Sequence, residues 1–321
     1  MSTGRVAAVC GGVGGAKLAD GLLRTLPPGA LGVIVNTGDD FEHLGLRISP
    51  DIDTVLYTLS GLANPDTGWG RRDETWTFMR ALETLGGETW FRLGDGDLAT
   101  HVERTRRLAA GEPLSVVVGD LAQRLGIPAC VLPMTDGRLR TRVLTDEGLI
   151  DFQDYFVRRQ CRPHVREIRF EGAAACRPAA RIAALLAEHA LEAIVICPSN
   201  PYLSVDPVLA VPGMRELLQA TGVPIIAVSP LIAGTAVKGP TAKIMGELGK
   251  PISAAEVAHH YEGLIDGFVL DRRDEAVVSQ ICVPVLLSCT LMATTDDRRR
   301  VAIDTMRLAR QLAGHCEQVC R

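Results

Sequence analysis

The chain has 321 residues, of which 47% are hydrophobic and 22% are charged, as is usual for a globular enzyme. A formal net charge of -4 and an aromatic content of 4% argue against a nucleic-acid partner, which requires a basic surface or aromatic stacking platforms. This length allows one large α/β domain or two smaller ones, and small molecules are the expected partners.

The cysteines and the N-terminal segment indicate a cellular compartment. The nine cysteines are scattered, with an odd total and no CxxC pair, which argues against a disulfide framework and against a zinc site. The chain starts with one basic residue, Arg5, before an apolar run that is too short for a signal peptide. No run approaches the roughly 18 apolar residues that span a membrane. We therefore expect a cytoplasmic protein without a membrane partner.

The first predicted elements form a βαβ unit. Residues 6–10 are an apolar run typical of a buried strand, residues 18–26 carry leucines at helical spacing, and residues 33–35 predict a second strand. A glycine-rich turn joins the first strand to the helix, and its backbone N–H groups can approach an anion at the helix N-terminus. The turn therefore predicts a phosphate site that consists of Gly11, Gly12, Val13, Gly14 and Lys17.

The same turn matches two nucleotide-binding motifs only in part. Gly12-Val13-Gly14 begins the dinucleotide fingerprint, but Lys17 stands where its third glycine belongs. A phosphate-loop ATPase is disfavoured, because Lys17 is followed by Leu18 rather than by Ser or Thr. The turn predicts a bound phosphate without identifying the ligand that carries it.

An acidic loop follows the second predicted strand and leads into a helix that begins near Asp51. Asp39, Asp40, Asp51 and Asp53 all lie in this segment. Carboxylates that converge repel one another unless a cation lies among them, and carboxylates near a strand end suit Mg2+ that bridges protein to phosphate. The alternative is a turn at Asp39 and a helix start at Asp51, with every side chain hydrated. The clustering favours the metal site.

The remaining elements alternate between helices and strands, apart from one small β segment. One helix is predicted to end near residue 85. The other helices are predicted over residues 51–62, 98–110, 115–125, 178–189, 214–221, 241–248, 254–264, 273–280 and 296–312. Strands are predicted over residues 129–132, 193–197 and 224–228, and near Phe268 and Val285. Short alternating segments over about 134–172 predict a small β insertion. We therefore predict a single α/β domain over residues 1–321, with a doubly wound, mostly parallel Rossmann-like sheet and helices on both faces.

Four later loops are predicted at the carboxyl ends of strands, where ligands of doubly wound sheets bind: residues 133–136, 198–201, 229–234 and 239–240. Ser199 and Asn200 offer short polar groups for a phosphate or a heterocycle edge, although Pro-Ser-Asn-Pro by itself is an ordinary turn. His101 is interpreted as a packing or surface residue, and the charged run 104–107 as a solvated helix face. No Gly-x-Ser-x-Gly elbow is present, and covalent catalysis is not indicated.

Motifs spread along most of the chain identify a family when they are taken together. They include Gly-Gly-Val-Gly-Gly-Ala-Lys, Asn-Thr-Gly-Asp-Asp, Ser-Pro-Asp-Ile-Asp-Thr and Leu-Gly-Asp-Gly-Asp, and they lie at residues 11–17, 36–40, 49–54, 68–76, 93–101, 152–154, 198–201, 211–215 and 229–232. In this order they resemble the 2-phospho-L-lactate transferases of deazaflavin coenzyme F-420 biosynthesis. Each motif alone would be weak, but their number and order make the match specific.

The resemblance implies a transfer reaction. A phosphorylated three-carbon acid (2-phospho-L-lactate, phosphoenolpyruvate or 3-phosphoglycerate) passes from a guanosine diphosphate-linked donor to the terminal ribityl hydroxyl of the deazaflavin Fo. GMP is the leaving group, and Mg2+ is required. A homodimer is also implied. The loops are compatible with all three donors.

The resemblance further implies roles for individual residues. Asp53, Arg92 and Asp95 would bind Fo, and Asp40 with Asp53 would hold Mg2+. The donor would be bound by Gly11, Gly12, Val13, Gly14, Lys17, Ser199 and Asn200. Transfer at phosphorus needs positioning and charge neutralisation more than a covalent nucleophile, so Asp51 or Asp53 would orient or deprotonate the acceptor hydroxyl.

Two other functions stay open. Gly12-Val13-Gly14 suggests a nicotinamide-dependent oxidoreductase, but such an enzyme carries an acid about 20 residues after the glycines, at the end of the second strand. Asn36 occupies that strand end here. A related group of regulatory proteins binds nucleotide-sugars and shares the glycine turn and part of the acidic loop. The tryptophan turn at residues 68–76 and the segment at residues 93–97 favour the transferase.

Overall fold

The architecture continues the strand and helix alternation of the first βαβ unit. The computed structural model describes the backbone of residues 4–319 and the side chains of residues 4–314. Its strands are β1 (Arg5–Cys10), β2 (Leu31–Val35), β3 (Phe41–His43), β4 (Leu46–Ile48), β5 (Cys130–Pro133), β6 (Arg140–Thr145), β7 (Gly148–Asp151), β8 (Val165–Glu171), β9 (Leu191–Ile196), β10 (Ile225–Val228), β11 (Leu231–Ile232), β12 (Thr235–Ala236), β13 (Gly267–Asp271) and β14 (Val285–Ser288).

The helices surround these strands. They are α1 (Gly12–Thr25), α2 (Pro50–Leu59), α3 (Thr77–Thr84), α4 (Asp95–Ala109), α5 (Leu114–Arg124), α6 (Ala180–Leu186), α7 (Asp206–Leu209), α8 (Met214–Gln219), α9 (Thr241–Glu247), α10 (Ala254–His260) and α11 (Thr295–Val319). Of the nine cysteines, the side chains of Cys316 and Cys320 lie outside the described residues, and the others are free thiols.

Seven strands form one sheet in the order β14-β13-β10-β9-β1-β2-β5. Every pairing within it is parallel, with Val9 of β1 beside Ile34 of β2 and Ile196 of β9. β2 and β10 are buried along their whole length, as expected for strands that are covered on both faces. The predicted Rossmann-like α/β fold is therefore confirmed.

Two hydrophobic cores cover the two faces of this sheet. Because successive strand residues point to opposite faces, Ala7 and Val9 belong to one core, whereas Val6, Ala8 and Cys10 belong to the other. Helices α6, α8, α9 and α10 contribute to the first core, and α1, α2, α5 and α11 to the second. Helices therefore lie on both faces, and the carboxyl ends of the central strands share one edge.

Antiparallel β structure occurs outside the central sheet of the described residues. Strands β6, β7 and β8 form a three-stranded sheet between β5 and α6, which is the predicted insertion. β11 pairs with β12, and β3 pairs with β4 in a hairpin that was not predicted. Leu44 and Gly45 of that hairpin both have positive φ, as a two-residue type I′ turn requires. The hairpin separates the first two aspartates of the acidic loop from the last two.

Some helix boundaries differ from the prediction. α4 begins at Asp95 rather than at residue 98, and it has Asp95 and Asp97 in its first turn, where the helix dipole favours acidic side chains. α10 ends at His260, earlier than predicted. No helix within the described residues is long and apolar enough to cross a membrane.

Candidate active site

A cavity of about 700 Å³ lies at the carboxyl ends of the central strands. The turn after β1, the acidic loop after β2 and the segment after β9 form one part of its wall. Segments that are far apart in the sequence therefore meet in one site, and its volume is that of a small-molecule pocket.

The glycine turn packs tightly against the acidic loop and against the segment after β9. The Gly12 N–H donates to Asp51 Oδ1 (2.8 Å), and the Gly11 N–H donates to Ser199 Oγ (3.1 Å). A Cβ at Gly11 would lie 2.4 Å from Asp51 Oδ2 and 2.8 Å from Ser204 Cβ, so a larger residue would have to displace both side chains. Two of the N–H groups predicted to bind phosphate are therefore already bonded within the protein.

Three carboxyl groups near the turn are buried and have raised pKa values. Burial raises the pKa of Asp40 to about 7 and that of Asp51 to about 6, although hydrogen bonds from Ser49 and Asn36, respectively, oppose these shifts. Burial and the nearby Asp51 carboxylate raise the pKa of Asp39. The Oδ1 atoms of Asp39 and Asp40 are buried without a hydrogen-bond partner. Carboxylate oxygens of this kind are hard ligands that suit a divalent cation such as Mg2+.

These carboxylates differ in their access to the cavity. Asp39 and Asp51 line it, whereas Asp40, a predicted Mg2+ ligand, does not. The Ser49 hydroxyl donates to Asp40 Oδ2 (2.8 Å), and Asn36 Nδ2 donates to Asp51 Oδ2 (2.9 Å). Asp39 belongs to the predicted acidic cluster but was not among its named Mg2+ ligands, and the structure places it in the cavity wall.

Asp53 lines the cavity and is paired with a buried arginine. Both of its carboxylate oxygens accept hydrogen bonds from the Arg104 guanidinium, with 3.1 Å between Nη1 and Oδ2. Arg104 is 0% exposed, and Arg107 is also buried. The prediction of a solvated face over residues 104–107 is therefore wrong for these two residues. The side of α4 that carries Arg104 and Arg107 faces β4 and α5. Asp53 compensates the charge of Arg104, and Glu112 and Asp120 compensate that of Arg107.

Asp97 and His101 join Asp53 at the cavity wall. His101 Nε2 lies 3.1 Å from Asp97 Oδ2, and His101 Nδ1 lies 3.7 Å from Asp53 Oδ2. One ligand atom from each of the three residues lies within 4.8 Å of the others, an arrangement that could hold a metal ion. His101 was interpreted in isolation as a packing or surface residue, and this group was not predicted. The i, i+4 spacing of Asp97 and His101 places both on one helical face, and this spacing could have indicated the group from the sequence.

The residues predicted to bind Fo beside Asp53 have different environments. Arg92 lines the cavity, and its guanidinium carbon lies 4.1 Å from the centroid of the Trp76 ring. Asp95 does not line the cavity. Its carboxylate accepts from the N–H groups of Thr77 and Phe78 (both 3.0 Å) and so caps α3.

Among the residues predicted to bind the donor, Ser199 and Asn200 line the cavity and Lys17 does not. Asn200 Oδ1 accepts from the Tyr202 N–H (3.0 Å), while its Nδ2 is buried without a partner. Lys17 Nζ donates to the Met292 carbonyl (2.8 Å). The structure therefore does not bring the Lys17 ammonium to the cavity.

Aromatic side chains form another part of the cavity wall. Phe152 and Phe156 from the β insertion are stacked, with ring centroids 5.4 Å apart. Trp90 and Phe91 make an edge contact at 5.7 Å. All four line the cavity, and their ring faces suit a planar heterocycle.

Comparison with known proteins identifies the family of this chain. The family model of the 2-phospho-L-lactate transferase CofD matches residues 6–307. The chain belongs to this family. The match includes the central sheet, the β insertion and all the segments that line the cavity. Family membership thus favours a transferase over the nicotinamide-dependent oxidoreductase.

Relatives with two different names are similar to this chain. A phosphoenolpyruvate transferase of Streptomyces griseus is 38% identical over 312 residues, which cover 94% of this chain and 98% of the relative. A 2-phospho-L-lactate transferase of Methanocaldococcus jannaschii is 36% identical over 301 residues, which cover 92% of this chain and 96% of the relative. The names agree on transfer of a phosphorylated three-carbon acid.

A solved structure shares the fold. The crystal structure of a member of the UPF0052 family from Bacillus halodurans has a TM-score of 0.58 and 15% sequence identity, and the match covers 90% of this chain and 93% of the other. This likeness supports the Rossmann-like fold alone. The homodimer, the cytoplasmic location and the Mg2+ requirement stay predictions.

Proposed function

We propose that this CofD-family protein transfers a phosphorylated three-carbon acid from a guanosine diphosphate-linked donor to the terminal ribityl hydroxyl of the deazaflavin Fo, with release of GMP. The observation that carries the proposal is a single cavity with buried carboxylates beside the glycine turn and an aromatic wall elsewhere. The acidic part suits a metal-bound diphosphate, and the aromatic part suits the deazaflavin ring.

The chemical step is a substitution at phosphorus. The ribityl oxygen forms a bond to the phosphorus that carries the three-carbon acid, the bond from that phosphorus to the GMP oxygen breaks, and the hydroxyl proton passes to a carboxylate. Asp51 is our candidate base, because its pKa of about 6 is close to neutrality. Asp53 is held by Arg104 and serves to position the acceptor.

The residues near the glycine turn fit Mg2+. The unpartnered, buried oxygens of Asp39 and Asp40 are hard ligands of the kind that Mg2+ prefers. Asp39 would hold the ion together with Asp40, one of the two predicted ligands, and the ion would neutralise charge on the diphosphate. Asp53, the other predicted ligand, lies instead in the group with Asp97 and His101. The group of Asp53, Asp97 and His101 fits less well, because imidazole suits other metals better than Mg2+.

A direct assay tests this function. The purified protein is incubated with Fo, Mg2+ and each of the three guanylylated donors, and the products are followed by mass spectrometry. We expect a deazaflavin that has gained one phosphorylated acid, together with GMP, and the productive donor names the three-carbon unit. Absence of product with every donor, together with tight binding of a nucleotide-sugar, would support the regulatory protein instead.

Two variants connect the assay to the cavity. Asp51→Asn should lose at least about a hundredfold in kcat, the size of a typical general-base contribution. Some loss of stability is also expected, because the new amide NH2 faces the Gly12 N–H or Asn36 Nδ2 that donates to Asp51, so circular dichroism must show that the assayed variant is folded. Asp95→Asn alters a carboxylate outside the cavity wall and should keep most of the transfer rate. Equal losses in the two variants would contradict the assignment of Asp51 as the base.

A further inference from the structure

The charged side chains on the cavity wall are mostly acidic, although the proposed donor is an anion. Four carboxylates line the cavity, those of Asp39, Asp51, Asp53 and Asp97. An anionic donor must overcome their repulsion. Among the described residues of the wall, the lysine and arginine side chains are those of Arg92 and Lys238.

Arg92 lies on the aromatic side of the wall. Its guanidinium packs on Trp76, and its chain neighbours Trp90 and Phe91 form part of the aromatic surface. Lys17, the cation expected at the glycine turn, donates instead to a backbone carbonyl outside the cavity wall. Lys238 is therefore the cation to consider on the glycine-turn side.

Lys238 lies in the loop between β12 and α9, next to the glycine turn. Its Nζ donates to the Thr67 carbonyl (2.8 Å). A Cβ built on Gly68 would lie 2.8 Å from Lys238 Nζ and 3.0 Å from Val13 Cγ1. Lys238 Nζ and Val13 Cγ1 therefore both lie close to the same point beside Gly68, which places the ammonium near Val13.

The Lys238 ammonium has capacity for a ligand. It carries three N–H donors, of which one is used by Thr67. Within the described residues it has no carboxylate partner within 4.0 Å. Burial, Arg298 and Lys238 together lower the pKa of Lys17, so the positive field of Lys238 extends toward α1.

We propose that Lys238 binds an anionic group of the guanosine diphosphate-linked donor, either its diphosphate or the carboxylate of its three-carbon acid. This inference rests on the proposed function, and it adds a donor-binding residue that the motif analysis did not single out. The loop after β12 would then determine donor affinity, while Fo binding depends on other parts of the wall.

The test combines binding with kinetics. Lys238→Ala, Lys238→Arg and wild type are titrated with GDP in the presence of Mg2+ by calorimetry, and KM is measured for the complete donor and for Fo. For Lys238→Ala we expect the donor KM to rise about tenfold to a hundredfold, the effect of losing one charged hydrogen bond, with the Fo KM within about twofold. Lys238→Arg should recover most of the donor affinity.

Lys250→Ala is the matched control, because Lys250 pairs with Glu256 and does not line the cavity. Its donor KM should equal that of wild type. A loss of GDP affinity in Lys238→Ala assigns the contact to the diphosphate. Unchanged GDP affinity with a raised donor KM assigns it to the carboxylate.

Other outcomes separate this inference from the proposed function. Wild-type transfer with an unchanged donor KM in Lys238→Ala overturns the role of Lys238 and leaves the proposed function standing. An equal rise in the Fo KM also overturns it, because the effect is then not specific to the donor. A wild type that binds GDP without transfer contradicts the proposed function, and the affinity of Lys238→Ala for the complete donor, measured by calorimetry, then decides the inference. A wild type that neither transfers nor binds GDP overturns both.

Discussion

At the scale of single residues, the ion pair of Arg104 and Asp53 organises the site. Arg104 is 0% exposed and Asp53 is 5% exposed, so both charges are removed from water. Such a pair contributes little net stability when it is intact, but loss of one partner leaves an uncompensated buried charge. Arg104 does not line the cavity itself but orients the Asp53 carboxylate, which does.

Arg104→Ala should lower the free energy of unfolding by about 3–5 kcal/mol, because Asp53 would stay buried without its partner. The measurement is urea unfolding followed by circular dichroism. Arg106→Ala on the same helix is the control, because the pair of Arg106 with Glu103 is exposed and should contribute at most about 1 kcal/mol. Similar losses in the two variants would contradict the role given to the buried pair.

At the scale of elements, the contact between the start of α1 and the segment after β9 shapes the cavity. A Cβ at Gly14 would lie 2.4 Å from the Pro198 carbonyl oxygen. Backbone atoms cannot move aside as a flexible side chain can. The glycines of this turn therefore serve close packing between two chain segments, in addition to the predicted approach of a phosphate.

Gly14→Ala should destabilise the protein by about 1–3 kcal/mol, the range for overpacking, although alanine favours helix. Thermal unfolding measures this change. Gly246→Ala in α9 is the matched control, because its Cβ would meet Ile252 Cδ1 at an ordinary 3.5 Å. We expect it to be neutral or more stable by up to about 1 kcal/mol. A neutral Gly14→Ala would show that the two segments can separate without cost.

At the scale of the whole molecule, the buried acids couple stability to pH. Burial raises the pKa of Asp40 to about 7 in the folded protein, whereas an unfolded aspartate titrates near 3.9. The folded state thus binds a proton that the unfolded state releases. This stabilisation is complete below about pH 4 and is lost as the pH rises through about 7.

We expect the metal-free protein to have a lower thermal midpoint at pH 8 than at pH 5.5, and added Mg2+ should reduce the difference by neutralising the carboxylates. Asp40→Asn should weaken this pH dependence, because it removes one of the groups with a raised pKa. The measurement is scanning calorimetry across this pH range. EDTA is present in the metal-free samples, and excess Mg2+ replaces it in the others. An equally steep dependence in Asp40→Asn would contradict the assignment to this carboxyl group.

The sequence alone determined the α/β class, the first βαβ unit, the β insertion and the family. Those features depend on local periodicity, on glycines at turns and on motif order, all of which can be read along the chain. Asp51 and Ser199 were also selected as candidates, because Asp51 lies in a recognisable motif at a predicted helix start and Ser199 lies in one after a predicted strand. Only the tertiary structure decided which of the candidate groups face one cavity.

The reason is that contacts within the site join residues that are distant in sequence. Asp53 meets Arg104 because α4 packs on β4, and the pattern along α4 by itself does not reveal which carboxylate pairs with that arginine. Lys238 reaches the Thr67 carbonyl because two loops from distant parts of the chain meet at the cavity. Lys17 is two residues beyond the glycine run, yet its helix directs the side chain to Met292. Side-chain direction and strand order in the sheet, rather than proximity along the chain, select the residues of the site.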